Sequence, residues 1–352
     1  MTETATRTRP GQNLDYPFSD RPETGAYIEV IKGVYWVRMR LPFQLNHINL
    51  WLLADGDGWT VVDTGVRDEP TAQAWTELFD KVMLGKPVKR VIVTHLHPDH
   101  VGMAGWLVRR FGCMLWMSRT DYLMCRNLCF DTGLEAPEEG IRFYKAAGFP
   151  EDALEQYRTR FGGFGKGVYR LPNSYHRIID GDHIEIGDYT WEVVVGRGHA
   201  PEHVCLWCKE AGVFISGDQI LPRISSNVSL FPTEPDANPL QDWLDSCAKL
   251  EGMVGDDVLI LPSHNEPFRG ARMRLRELIE GHETSLSALH VLCREPKRAV
   301  DCFPALFRSR ITAGNFGMAT GESLAHLSCL IARDQMRRER DKDGVDWYTS
   351  LD

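Results

Sequence analysis

Val88-Lys89-Arg90-Val91-Ile92-Val93-Thr94-His95-Leu96-His97-Pro98-Asp99-His100 is the stretch on which the reading of this chain turns. Val88 to Thr94 is a β-type run. The six residues after it set four metal-binding side chains on one short turn. Alternation lets His95 and His97 point the same way, while Asp99 and His100 serve a neighbouring position. Imidazole and carboxylate together suit zinc or a similar first-row cation.

The segments on either side supply the scaffold. Upstream, Tyr27 to Ile31, Val34 to Arg40 and His47 to Leu53 alternate or run apolar, and Thr60 to Val62 follows an Asp55-Gly56-Asp57-Gly58 turn. Glu69 to Leu84 reads as a helix with Trp75, Leu78, Phe79 and Val82 as its apolar positions. Met103 to Phe111 reads as another after the histidine turn. Strands return from His176 to Val195, at Val204 to Lys209, Val213 to Ser216 and Val258 to Leu261. Asn238 caps a helix that begins at Pro239, with Leu240, Trp243, Leu244, Cys247 and Leu250 on one face. Strands that meander first and then alternate with helices predict an α/β fold, sheets inside and helices outside.

Two regions differ. Ser118 to Tyr175 reads as helical around Asp121 to Cys129, Glu138 to Ala147 and Glu151 to Arg160. Ten of its 57 residues from Arg119 onward are aromatic, which suits a hydrophobic lid or pocket wall, or else an insertion packing on itself. Beyond Phe268 to Gly270 the pattern turns helical: Ala271 to Cys293, Val300 to Phe307 and Glu322 to Arg338, then a hairpin at Asp343-Gly344. The expected domains are therefore 1–269, including the helical insertion 119–175, and 270–352.

Composition narrows the function classes. The 352 residues are 43% hydrophobic and 25% charged, ordinary for a soluble globular protein. A formal net charge of −9 argues against non-specific nucleic-acid binding. Met1 to Tyr16 is polar and reads as a frayed arm. No apolar run reaches the roughly 18 residues a membrane span needs. Nine cysteines form no disulfide framework, which places the chain in a reducing, cytoplasmic compartment. Cys205 and Cys208 form a CxxC inside a strand, whereas a redox pair needs a helix N-terminus to lower its thiol pKa.

The chemistry-bearing residues all fall at ends of expected strands: Asp63-Thr64-Gly65, Thr94 to His100, Gly198-His199-Ala200-Pro201-Glu202-His203, Ser216-Gly217-Asp218 and Pro262-Ser263-His264. Loops at strand ends are where a rigid scaffold presents functional groups. Five in order, each after a short apolar run, form a specific pattern.

From roughly Tyr27 to Phe268 these segments resemble the metallo-β-lactamase-fold hydrolases. The resemblance implies an αββα sandwich with a helical lid insertion and a small, mainly helical C-terminal domain, similar to the winged-helix-like region of some thioesterase-like and nuclease-like members. It implies that His95, His97 and His199 bind a first metal ion and Asp99, His100 and His264 a second, with Asp218 bridging. Asp63 and His203 would support these ligands without binding. His47 and His183 read as structural. The cofactor implied is a pair of divalent cations, zinc first, with iron or manganese as options. Two such ions ~3.5–4 Å apart share a water and lower its pKa from near 15.7 to roughly 7.

The function implied is thus a dinuclear metal-dependent hydrolase that uses a metal-bound hydroxide. Asp218 and Asp99 are its catalytic carboxylates, Asp99 handling the proton passed to the leaving group. No Gly-x-Ser-x-Gly elbow competes with this reading. The partner expected is a small acyl, thioester or lactone substrate, with neither membrane nor nucleic acid; a homodimer is one option for the assembly. Glyoxalase II-like enzymes resemble the chain in their metal motifs, but their glutathione-binding pattern is not found. Acyl-homoserine lactonases carry a tyrosine where this chain has Leu221, which counts against a lactonase. An RNA or phosphodiester hydrolase is the alternative, although only 45 residues separate Asp218 from His264, too few for the large inserted domain of RNA-cleaving members. An iron-dependent oxidoreductase is disfavoured for want of a flavodoxin-like or rubredoxin-like portion. Arg223 is a candidate grip for a substrate anion. Arg337, Arg338, Arg340 and Lys342 read as a solvated helix end that could meet nucleic acid or an acyl carrier.

Overall fold

The computed structural model describes residues 10–42 and 45–352. Its first sheet runs in sequence order: β1 (Tyr27–Ile31), β2 (Val34–Arg40), β3 (His47–Asp55), β4 (Gly58–Val62), β5 (Val88–Ile92), β6 (Met114–Met117) and β7 (His176–Arg177). The first four strands pair antiparallel and the last four parallel. Parallel neighbours need a crossover. Helix α1 (Glu69–Lys81) makes the first, and the short α2 (Pro98–Val101) with α3 (Ala104–Phe111) makes the second.

An insertion of three helices, α4 (Arg119–Phe130), α5 (Glu138–Ala146) and α6 (Glu151–Arg160), leads to β7. The second sheet holds β8 (His183–Ile186), β9 (Tyr189–Gly196), β10 (His203–Cys208), β11 (Val213–Gly217) and β12 (Leu259–Pro262). Its one described parallel pair, β11 with β12, is bridged by α7 (Pro239–Met253). The tail adds α8 (Ala271–Leu292), α9 (Phe303–Leu306), α10 (Phe316–Ala332) and a hairpin of β13 (Met336–Arg340) and β14 (Asp346–Ser350).

The layering follows from strand alternation, since adjacent residues of a strand face opposite sides of the sheet. Trp36, Trp51, Val62 and Ile92 meet Trp191, Val193, Leu206, Ile215 and Leu261 in one buried cluster between the sheets. Their neighbours Val37, Leu50, Val61 and Val91 face outward onto Trp75 and Leu78 of α1 and Leu107 of α3. On the far side Val194, Cys205, Phe214 and Ile260 pack on Trp243 and Leu244 of α7. The strands are apolar on both faces because both faces are covered, as in the αββα order. Trp36 and Trp51 stack with ring centroids 6.4 Å apart, and with Trp191 they are almost wholly buried. At ~200 Å² per ring and ~25 cal/mol/Å², each contributes up to about 5 kcal/mol.

That third cluster does not stop at residue 270: Leu275, Leu286, Leu324 and Tyr348 continue it. The insertion's aromatics pack largely on each other, Tyr144 against Phe149 and Tyr157 with centroids 4.6 and 4.7 Å apart, and Phe149 rests on Phe316 of α10. Its last stretch lies against the histidine turn. Tyr169 N donates to Gly102 O at 2.8 Å, and Arg67 N donates to Gly167 O at 3.2 Å.

Four expectations need correction. Residues 1–9 of the expected frayed arm lie outside the described residues, but the rest is anchored: Leu14 is buried, and Asp15 and Arg269 exchange backbone hydrogen bonds of 3.3 and 2.8 Å. The last helix ends at Ala332, not Arg338. The chain reverses at Asp334, whose φ is +55°, and Asp334 N and Gln335 N close on Ile331 O and Leu330 O. Arg337, Arg338 and Arg340 therefore sit on a hairpin strand, where Arg340 grips Asp346 through two bonds of 2.7 and 2.9 Å. Helix α1 stops at Lys81, with Leu84 exposed at φ +51°. No described helix is long and apolar enough to cross a membrane.

Candidate metal centre

The five chemistry-bearing segments converge because of strand direction. β4 and β5 are parallel, so Asp63 and the His95–His100 turn leave at the same end. β9 is antiparallel to β10, and β10 to β11, so the tip of the β9–β10 hairpin, which carries His199, lies at the end where β11 delivers Asp218. β12, parallel to β11, brings His264 there. Val204 N to Thr94 O, 2.8 Å, and Asn49 N to Ser263 O, 2.7 Å, tie the two sheets together beside the site.

Three sets of side chains cluster: His95 with His97 and His199, Asp99 with His100 and His264, and, spanning these two, His95 with His100 and Asp218. In the first, His95 Nε2 lies 2.8 Å from His97 Nδ1 and 3.3 Å from His199 Nε2. In the second, Asp99 Oδ2 lies 3.6 Å from His100 Nε2 and 3.4 Å from His264 Nε2. Asp218 divides its carboxylate between them. Its Oδ2 is 3.3 Å from His199 Nε2, and its Oδ1 is 3.6 and 3.5 Å from His100 Nε2 and His264 Nε2.

Four ligands at about 2.0–2.1 Å in a tetrahedron stand about 3.3–3.4 Å apart, close to most of these separations. His100 Nε2 and Asp218 Oδ1 are buried without a hydrogen-bond partner, and both face the second group. Buried polar atoms are rarely left unpaired. A cation between them would satisfy both, so the donor set of the second group fits a metal ion, and the clustered imidazoles of the first group are donors of the same kind.

Three of the rings are aimed by their other nitrogen, as is usual for ligating histidines. His100 Nδ1 donates to Asp63 Oδ2 at 2.8 Å, His199 Nδ1 to Asn227 O at 2.7 Å, and His264 Nδ1 to His47 O at 2.9 Å. Asp63, at φ +59°, also accepts from Thr94 N and Thr94 Oγ1, both at 2.8 Å. His203 accepts from Asp218 N at 3.0 Å, so it holds the backbone of the shared aspartate. His47 takes a bond from Asn265 N at 2.9 Å, while His183 is exposed on β8. Cys205 and Cys208 lie in β10, and burial pushes both thiols up.

Burial and charge set the protonation states. Burial, helped by neighbouring imidazoles, keeps His95 and His203 well below the usual histidine range and His97 at about 3. Burial also opposes charge on His100 and His264, but the carboxylates, Asp63 foremost at His100 and Asp218 at His264, raise both. Burial would raise Asp99 and Asp218; the same two histidines outweigh it and hold Asp99 at about 2 and Asp218 well below the carboxylate range. His95 and His97 therefore offer neutral lone pairs, whereas a cation binding beside His100 and His264 would displace protons.

Arg223 Nε bonds Glu266 Oε2 at 3.1 Å and its guanidinium lies 4.3 Å from the Tyr16 ring centre. Two supports escaped the sequence reading. Buried Asp121, on α4, accepts from Leu96 N at 3.0 Å and Glu202 N at 2.8 Å, clamping the His95–His100 turn to the His199 loop. Asn49 Nδ2 donates to Pro262 O and Asn265 O at 2.8 and 2.7 Å, holding the His264 loop. Both act on backbone of remote segments, so no spacing signals them.

Asp63→Asn tests the aiming argument. An amide nitrogen beside His100 Nδ1 makes that atom an acceptor and moves the ring proton to Nε2, toward the second group. Zinc affinity there is expected to fall about 10–100-fold, with the first group spared. Calorimetric zinc titration reads it, and two unchanged binding steps would refute the role.

Comparisons with known proteins identify relatives of the chain and of its fold. Residues 44–264 match the family model described as the metallo-beta-lactamase superfamily, and residues 286–351 match the metallo-beta-lactamase-like C-terminal domain. The solved structure of a beta-lactamase domain protein from Burkholderia ambifaria is 40% identical, covering 97% of this chain and 99% of that one, with a TM-score of 0.89. The probable metallo-hydrolase YqjP of Bacillus subtilis is 23% identical over 86% of this chain and 93% of its own length. The human acyl-coenzyme A thioesterase MBLAC2 is 24% identical over 68% of this chain and 81% of its own.

Proposed function

The chain belongs to the metallo-beta-lactamase superfamily and is a hydrolase, and on that premise we propose that it holds two divalent cations, zinc foremost, and cleaves small acyl thioesters. The observation that carries the two-ion reading is the split carboxylate of Asp218, one oxygen facing each three-residue group. His95, His97 and His199 hold one ion, Asp99, His100 and His264 the other. Bound there, the pair supplies a water ionised near neutral pH and a Lewis acid for the carbonyl oxygen.

The chain's own residues do the rest. Asp63 and the carbonyls of Asn227 and His47 keep His100, His199 and His264 presenting Nε2 to the centre. Asp99 has the most exposed side chain of the second group, 18% against 0% for His100 and 1% for His264. Ionised, it is the carboxylate placed to accept the proton from the attacking water and return it to the departing thiolate sulfur. Thioester chemistry is supported by the similarity to the acyl-coenzyme A thioesterase.

The test is a hydrolysis panel of acyl-coenzyme A thioesters, lactones and phosphodiesters on protein of measured metal content. We expect free thiol to appear with thioesters at least about 10²-fold faster, per kcat/KM, than either other class is turned over. Fully loaded protein that cleaves phosphodiesters and leaves thioesters intact would overturn the substrate assignment.

A further inference from the structure

We propose that the C-terminal helices aim His199 through a two-residue latch, Glu322 and Asn227, which makes these two residues positioning groups for the metal centre. The inference rests on the two-cation reading and adds a role for the tail to it.

The chain after Asp218 has neither helix nor strand until α7, yet residues 221–230 carry the acceptor that fixes His199. Such a carbonyl is only as well placed as the loop bearing it. Two tail helices hold this loop. Almost wholly buried Arg274 of α8 donates to Leu221 O at 2.7 Å and Ile224 O at 2.8 Å. His282 of the same helix lies 3.2 Å from Ser225 Oγ. Leu230 N donates to Gly321 O of α10 at 3.0 Å. Between these anchors, Asn227 Nδ2 donates to Glu322 Oε2 at 2.8 Å, and Asn227 Oδ1 accepts from Ser229 Oγ at 2.6 Å. Glu322 is thus the contact that reaches the very residue whose carbonyl receives the His199 Nδ1 proton.

The other aimed ligands differ in origin. His100 is held by Asp63 at the end of β4, and His264 by the His47 carbonyl on β3, both inside the sandwich. The support of His199 is bolted to the tail. Burial pushes the Glu322 carboxyl up to about 7. A neutral carboxyl still offers an acceptor oxygen, so glutamine is a fair replacement at this position and alanine is not.

The experiment uses the full chain and zinc, titrated against a chromophoric chelator, with melting curves of the metal-free proteins alongside. Glu322→Ala and Asn227→Ala should each weaken one of the zinc steps about 10-fold, the low end of what lost ligand supports cost. Glu322→Gln should bind within about 3-fold of wild type. The double alanine variant should bind no more weakly than the worse single one, as coupled residues do. Leu286→Ala, in the tail's core, should melt lower yet keep both steps. Unchanged zinc steps in Glu322→Ala would overturn the latch, as would a glutamine variant no better than alanine, or zinc loss in Leu286→Ala in proportion to its lost stability. Wild-type protein that takes up no zinc would fail the metal reading and the latch together; wild-type uptake with an unchanged Glu322→Ala fails the latch alone.

Discussion

Asp218→Ala is expected to lower hydrolysis by at least about 10³-fold, ~4 kcal/mol of transition-state stabilisation, and to reduce bound metal from two ions per chain to one or none. Asp218 faces both groups, with Oδ2 3.3 Å from His199 Nε2 and Oδ1 3.5 Å from His264 Nε2. Losing it removes a donor from each ion at once, together with a negative charge set among buried imidazoles. Asp99→Ala takes a donor from the second group only and should leave the first ion in place. Elemental analysis after desalting gives the stoichiometry, and circular dichroism shows whether the fold is kept. An Asp218→Ala protein that is folded, active and loaded with two ions would end the bridging assignment.

Why the candidate ligands stand out in the sequence is a matter of local signal. His95, His97, Asp99 and His100 are adjacent, and His199, Asp218 and His264 each end a short apolar run; the resemblance to the metallo-β-lactamase fold implied that they meet, and the strand directions bring them to a common edge. The sandwich was legible for the same reason, since runs such as Val91-Ile92 and Val193-Val194 are apolar on both faces and call for two covers. What escaped has no local signal. Met114–Met117 is a strand of four residues with no alternation to distinguish it from a helix end. Asp121, Asn49, Asn227 and Glu322 act through backbone atoms or side chains of segments dozens of residues away, and nothing in their neighbours marks them. The end of α10 was misjudged because Arg337 and Arg338 continue a helical polarity pattern, whereas the turn at Asp334 is a backbone event.

Gly198→Ala is expected to destabilise the protein by roughly 2–6 kcal/mol and to abolish tight zinc binding at the first group. Gly198 has φ +103°, a conformation that costs a residue with a Cβ about 1–3 kcal/mol. An added Cβ would also lie 2.5 Å from Trp243 Cβ, 2.6 Å from Pro239 O and 2.7 Å from Trp243 Cα. These are atoms of α7, mostly backbone, and cannot swing aside as a side-chain tip does, so overpacking adds about 1–3 kcal/mol. Either the helix moves off the second sheet, where Trp243 is fully buried, or the loop moves and takes His199 with it. Gly212→Ala separates conformation from contact: its φ is +61° and nothing lies within 4 Å of the new methyl group. It should cost only about 1–2 kcal/mol and leave zinc binding intact. Urea unfolding of the metal-free proteins and zinc titration of the same samples compare the two. Equal losses from both substitutions would mean that the pressure of α7 on the His199 loop does not place the ligand.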